Sequence, residues 1–215
     1  MMSTVNKSAD FLLARAQQGS GESLGQLLQL YTNYLRILVV SQLDGKLRQR
    51  VSPSDVVQET FFEAHRDFQQ FRGKTTPEFL AWLRKILVNN LHTVVEKHVL
   101  AGKRDVRREV SAEKLGADLE KSTLRLDAFL PDPGESPSMH LQQREMQVRL
   151  ANELAALPED YRDAIVMRHL EGLPFEEIGR RMDRTAGAVR MLWLRAIKLL
   201  RERMATDDDS SGVNT

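Results

Sequence analysis

Apolar residues recur at steps of three and four along nearly the whole chain. That spacing keeps one face of a 3.6-residue helix apolar, whereas a strand needs a period of two. Residues 22–40 are apolar at Leu24, Leu27, Leu28, Tyr31, Leu35 and Leu38. Residues 79–100 are apolar at Phe79, Leu83, Ile86, Leu87, Leu91, Val94 and Val95. No strand pattern of useful length and no internal repeat interrupts this, so the expected fold is all-α.

Start and stop signals divide the pattern into helices. Ser8 is a candidate N-cap for a helix over residues 9–18. A loop holding Asp44 and Gly45 ends the helix of residues 22–40. Ser52 and Pro53 open a helix over residues 53–71, with Asp55 three residues after the cap. Thr76, Pro77 and Glu78 open the next in the same way, to about residue 100. A basic cluster, Lys103, Arg104, Arg107 and Arg108, follows.

Periodicity then weakens. PDPGESPS (residues 131–138) holds three prolines and a glycine, and the segment reads as a flexible linker with a turn of helix near Leu119 to Leu126. Helices resume over residues 139–156, from Pro158 to about His169, over residues 175–182 and over residues 186–204. The expected organisation is a helical domain over residues 1–110, a linker over 111–137, a second helical domain over 138–205 and a disordered acidic tail over 206–215.

Composition removes whole classes of function. The 215 residues contain no cysteine, which excludes disulfides, thiolate chemistry and cysteine-based zinc sites. No stretch approaches the ~18 apolar residues of a membrane span, and the first ten residues have no apolar core flanked by bases. A cytoplasmic protein is expected. The five histidines, His65, His92, His98, His140 and His169, include no pair at the spacing of a zinc helix. Gly19 and Gly21 stand alone rather than in a phosphate loop. No catalytic residue, metal or cofactor is expected, and the chain is not read as an enzyme.

Net charge is only +1, but its distribution is uneven. Residues 1–110 carry 16 Lys and Arg against 11 Asp and Glu, and residues 141–205 carry 12 against 10. Residues 111–140 carry 3 against 6, and the last ten residues hold three aspartates and no base. Two mildly basic blocks thus flank an acidic segment, which permits nucleic-acid contact at two places. Ordinary charge scatter gives the same counts.

Three local patterns carry the functional reading. From Pro174 to Arg201, a short helix, a tight polar turn and a longer helix form the frame of a helix-turn-helix. Ile178, Met182, Val189, Leu192, Ala196 and Leu199 face inward, which leaves Arg184, Arg190, Arg195, Lys198 and Arg201 on the other side. Thr185 can cap the longer helix, and Trp193 reads as core. The second pattern is a row of acids, Asp55, Glu59 and Glu63, spaced by four on one helix face beside Gln58 and Arg66. Like charges in a row suit a basic partner, although a solvated face explains them too. The third sets Phe68, Phe71, Phe79 and Trp82 among Arg72, Lys74, Arg84 and Lys85, with Asn89 and Asn90 further along. Rings, cations and amides together suit single-stranded nucleic acid, while Phe68, Phe71 and Phe79 also read as core.

These strings resemble a family. DVVQETFFEAHRDFQQFRG (residues 55–73) and FLAWLRKILVNNL (residues 79–91) are similar to region 2 of bacterial RNA polymerase sigma factors of the small extracytoplasmic-function (ECF) type. LAALPEDYRDAIVMRHLEGLPFEEIGRRMDRTAGAVRMLWLRAIKLLRERM (residues 154–204) resembles their region 4. The resemblance covers well over half the chain, in the family's order. It implies that Asp55, Gln58 and Glu59 dock on the coiled coil of the polymerase β′ subunit. Phe71, Arg72, Lys74, Trp82, Lys85, Asn89 and Asn90 fall in the stretch that opens the −10 element. Arg184, Thr185, Ala186, Arg190, Arg195 and Lys198 fall in the unit that reads the −35 element, and region 4 also rests on the β flap. The linker of such proteins threads toward the active centre. Implied partners are core RNA polymerase and promoter DNA, with an anti-sigma protein a further candidate and a monomer expected when free. The chain departs from the family's pattern in a longer loop between Phe71 and Trp82, and in Met191 and Trp193 on the recognition helix. The rival reading is a stand-alone helix-turn-helix regulator with an N-terminal protein-binding module.

Overall fold

The structure, a computed structural model, describes residues 4–43, 45–48, 50–101, 111–129 and 137–210. The basic cluster at Lys103 to Arg108 and most of the proline-rich run lie outside them. Among the described residues every regular element is helical.

The N-terminal block opens with α1 (Thr4–Gln17), which starts earlier than expected, so Ser8 lies inside it rather than capping it. The long helix expected over residues 22–40 is two, α2 (Gly21–Leu30) and α3 (Thr32–Gln42). They part at Tyr31, whose φ of −96° and ψ of 3° leave the helical region, and the Thr32 hydroxyl donates to the Gln29 carbonyl. A short α4 (Gly45–Arg48) follows. Then α5 (Pro53–Asp67) begins at Ser52, whose hydroxyl accepts the Asp55 amide as a cap should, and ends in a 3-10 turn, Phe68–Gln70.

The 26-residue α6 (Thr76–Ala101) is capped one residue earlier than expected. Thr75 accepts the Glu78 amide at 3.4 Å, and the Glu78 carboxylate accepts the Lys74 and Thr75 amides at 2.8 and 3.1 Å. This is a reciprocal capping box. Those bonds, the Lys74 amide first and then the Thr75 hydroxyl and amide, lower the Glu78 pKa. Thr76 is instead buried, with its hydroxyl on Asp10.

The segment expected to link two domains contains a helix of 16 residues, α7 (Ala112–Asp127). Leu115, Leu119, Ser122, Thr123 and Leu126 form its buried face. The Ser122 and Thr123 hydroxyls donate to the Leu170 and Leu119 carbonyls, so the two polar residues are buried with partners.

The C-terminal block comprises α8 (Pro137–Ala155), α9 (Glu159–Ile165) running into a wide turn Val166–Leu170, α10 (Phe175–Arg181) and α11 (Ala186–Ser210). The last helix runs past Met204 into the expected tail. No glycine or proline lies between Ala205 and Ser210 to stop it.

One apolar core runs from Ala9 to Leu200 and joins both blocks. Helix α3 packs on α5, α7 and α8, and α7 lies between the first block and the Val166–Leu170 turn. Polar contacts reinforce this seam. Asn33 donates to Asn152 at 2.9 Å, Gln42 to Ser122 at 3.0 Å, and Arg125 to the Leu170 carbonyl at 2.8 Å. Arg48 reaches across from α4 to Glu171 at 2.6 Å, and Arg181 meets the same carboxylate at 2.8 Å. Burial still holds Glu171 above the usual carboxylate pKa, outweighing both arginines. A smaller cluster, Met167, Ile178 and Val189, forms the centre of the C-terminal helix pair.

Candidate nucleic-acid interface

The C-terminal pair is built around one close approach. Ile178 is fully buried under α10, and the next residue, Gly179, faces the turn. A Cβ at Gly179 would stand 2.6 Å from the Arg184 carbonyl oxygen. The Arg184 amide in turn donates to the Gly179 carbonyl at 2.8 Å. A side chain at this glycine would push the turn off the helix, so residue 179 fixes the angle between α10 and α11. Asp183 takes the left-handed conformation that reverses the chain (φ 54°). Gly179 lies inside α10 rather than in the turn, and its only sequence signal is a glycine within a short helix.

From that turn α11 emerges with Thr185 as its cap, the hydroxyl accepting the Ala188 amide at 3.2 Å. Val189, Ala196 and Leu200 are buried, while Leu192 and Leu199 are only half-buried. The opposite side is exposed and carries Arg184, Thr185, Arg190, Arg195 and Lys198, with Ala186 half-buried at the start. Three of these cations already have local partners. Arg184 meets Asp160 at 2.5 Å, Lys198 lies 3.8 Å from Glu202, and the Arg190 guanidinium lies 5.3 Å from the centre of the Phe175 ring. All three contacts are at the surface, where competing phosphates can replace them.

Trp193 is part of the frame, as expected. Its indole N–H donates to His169 Nε2 at 3.0 Å, and its ring contacts Phe175. Phe129 packs on the other side of His169, with ring centres 4.4 Å apart. Burial, and then the neighbouring Arg168, lower the His169 pKa. Accepting the indole proton also requires a neutral ring with its own proton on Nδ1.

The second surface lies on α5. Asp55, Gln58 and Glu59 are all exposed, and Glu63 is half-buried. Phe62 stands among them with 67% of its surface exposed. The sequence reading missed Phe62, whose signal was an aromatic one helical turn from Gln58 and Glu59, off the apolar face of Val57, Thr60 and Ala64. An exposed apolar ring beside these acids, with Arg66 one turn further on, has the make-up of a protein contact surface.

The third surface is an aromatic platform where α5 meets α6. Phe68, Phe71, Phe79 and Trp82 all touch one another, with ring centres 5.2 to 6.3 Å apart. Phe79 is fully buried and anchors the other three, which are half-buried. Arg72, Lys74, Lys85 and Asn89 are exposed around or beyond them. Arg84 is not free for a ligand in the same way, since it donates to the Tyr34 hydroxyl at 3.0 Å.

Asn90 corrects the sequence reading. It is 8% exposed and directs its amide at Thr60 of α5, so it joins two helices rather than facing DNA. Asn89 and Lys85 instead line an open groove of about 550 Å³ between α6 and α7, opposite Leu119, Glu120 and Leu124. Among the described residues no helix is long and apolar enough to cross a membrane.

Known proteins match along the same frame. Residues 147–200, which include α10, the turn and the exposed start of α11, match the family model described as Sigma-70, region 4. The chain is 29% identical over 196 residues to the ECF RNA polymerase sigma-E factor of Haemophilus influenzae, covering 90% of this chain and 93% of that protein. It is 31% identical over 189 residues to the ECF RNA polymerase sigma-E factors of Salmonella typhimurium and Escherichia coli, covering 86% of this chain and 88% of each. With both helical blocks inside those alignments and the helix-turn-helix inside the region 4 match, the chain belongs to the ECF sigma factors of RNA polymerase.

Proposed function

We propose that this promoter-recognition subunit divides its work among the three surfaces. Asp55, Gln58 and Glu59 dock on the basic coiled coil of the polymerase β′ subunit. Phe71, Arg72, Lys74, Trp82, Lys85 and Asn89 engage the −10 element, and Asn90 supports them from inside. Arg184, Thr185, Ala186, Arg190, Arg195 and Lys198 engage the −35 element, with the C-terminal block against the β flap. The chain works in the cytoplasm, where core polymerase and promoter DNA meet, and supplies specificity rather than catalysis.

The observation that carries this reading is the opposite character of two exposed helix faces. The face of α5 is acidic around Phe62, and the face of α11 is cationic. Duplex DNA is repelled by the first and attracted by the second, so a basic protein suits α5 better than DNA does. The platform adds the third element. Stacking on an aromatic side chain such as the half-buried Trp82 is worth ~1–3 kcal/mol per base, comparable to the few kcal/mol that extruding one base costs. Binding two DNA elements with one chain then raises the effective concentration of each surface for its own element.

The test is co-elution of the full chain with bacterial core RNA polymerase on gel filtration. Glu59→Arg, on an exposed position, is expected to abolish co-elution while leaving duplex binding by α11 in place. Full promoter-specific transcription with Glu59→Arg would overturn the docking role. Duplex binding without any affinity for core would favour the stand-alone regulator.

A further inference from the structure

The exposed side of α11 is not uniformly basic. Met191 and Leu194 are 51% and 47% exposed, an apolar pair on the surface expected to meet DNA. Their place on the helix matters more than their exposure, since single exposed apolar residues are common. Successive residues turn by ~100°. Measured from the direction opposite the buried Val189, Ala196 and Leu200, Met191 and Leu194 fall within about 40° of the middle of the exposed face. Arg190 and Arg195 fall about 60–80° to either side. The pair is therefore central, with Lys198 on the same line one turn further along, and the arginines flank it.

Gly187 points the same way. It lies in the first turn of this face, and a Cβ built there meets nothing within 4 Å. Packing does not require the glycine, which is a poorer helix former than alanine. A bare first turn does allow the helix backbone to come close to a surface.

A helix in the ~12 Å major groove turns its flanks to the two phosphate walls and its centre to the base edges. The one apolar group that base pairs present there is the thymine 5-methyl. Resting on the reading of α11 as the −35 recognition helix, we propose that Met191 and Leu194 read thymine methyl groups of the −35 element, with Arg190 and Arg195 as flanking phosphate contacts. Other bases are disfavoured as well as unrewarded, because their polar edges lose water against Met and Leu without gaining a partner.

The experiment uses the full chain with core polymerase. Preferred −35 duplexes are selected from a random pool, and each thymine is then replaced by deoxyuridine, which removes only the methyl. The expected result is an approximately fourfold loss of affinity at one or two thymines, the worth of one buried methyl. In Met191→Ser and Leu194→Ser, thymine and uracil should bind equally at those positions, with the salt dependence unchanged. Equal affinity for thymine and uracil throughout in the native chain would overturn the inference and leave the recognition helix standing. Retained methyl sensitivity in both variants, or a loss of core binding in its place, would overturn it too by making the pair a protein contact. Absence of any sequence-selective duplex binding would overturn the recognition-helix reading and the inference with it.

Discussion

The two surfaces proposed to meet DNA in this sigma factor are made in different ways. The aromatic platform is tertiary: Phe68, Phe71 and Trp82 are held by each other and by the buried Phe79, on segments that meet across a turn. The recognition face is secondary: its side chains project from one helix, whose direction is set by the close approach at Gly179 and by packing on α9 and α8. In the platform the residues proposed to touch DNA also hold the core. On α11 the two duties fall to different residues. Substitutions should therefore couple stability to function in the first region and separate them in the second.

Phe79→Ala is the largest test of that contrast. It removes a fully buried ring touching four others and should cost about 3–5 kcal/mol in urea unfolding, together with −10 opening. A loss below about 1 kcal/mol would mean that the platform is not packed as a unit. Gly179→Val comes next. Its Cβ meets a backbone carbonyl that cannot move alone, so about 1–3 kcal/mol and most duplex binding should be lost together. This locates the point at which the C-terminal surface does depend on the frame.

Arg190→Ala sharpens the other side of the comparison. Its cation–π contact with Phe175 is at the surface, so stability should fall by no more than about 1 kcal/mol. Duplex affinity should fall equally for all sequences, with a shallower salt slope, as for a phosphate contact. Sequence-dependent weakening of ~1–3 kcal/mol would instead make Arg190 a reader of bases. Thr185→Ala, which removes the cap on the Ala188 amide, should cost ~1 kcal/mol of stability.

How far each region could be read from the sequence follows from the same contrast. The exposed stripe of α11 is a property of one helix, so the period of Val189 and Ala196 was enough to place Arg190, Arg195 and Lys198 outside. The same period places Asn90 three and four residues from Leu87 and Ile86, on the apolar stripe of α6, and Asn89 off it; only the partner Thr60, 30 residues away on another helix, could not be read locally. Helix α7 was under-read because Ser122 and Thr123 occupy buried positions and dilute the apolar period, while their hydroxyls are satisfied by backbone carbonyls. The break at Tyr31 likewise depends on tertiary packing, since Tyr31 is a regular member of the apolar series. The α6 cap, by contrast, was legible: Thr75 and Glu78 have the capping-box spacing that Thr76 lacks.

The smallest predicted effect is one of pH, and it tests whether the recognition helix is tied to the rest of the chain through His169. The ring is neutral when it accepts from Trp193, and its pKa in the folded chain is lowered by burial and then by Arg168. Below the unfolded-state value near 6.5 the unfolded chain takes up this proton more readily than the folded one. The His169 contribution is therefore fully present above that pH and is lost as pH falls below it. Glu171 and Asp163 act in the opposite sense. Burial raises both pKa values, so their contributions weaken as pH rises above the ordinary carboxylate range. The wild-type profile alone mixes these effects, but His169→Gln separates them, because Gln accepts from the indole and stays neutral. Between pH 7 and 5 the wild-type melting temperature should fall relative to that of His169→Gln, with a matching change in Trp193 fluorescence. Parallel profiles would show that the Phe129, His169 and Trp193 stack does not couple the α7 end of the chain to α11.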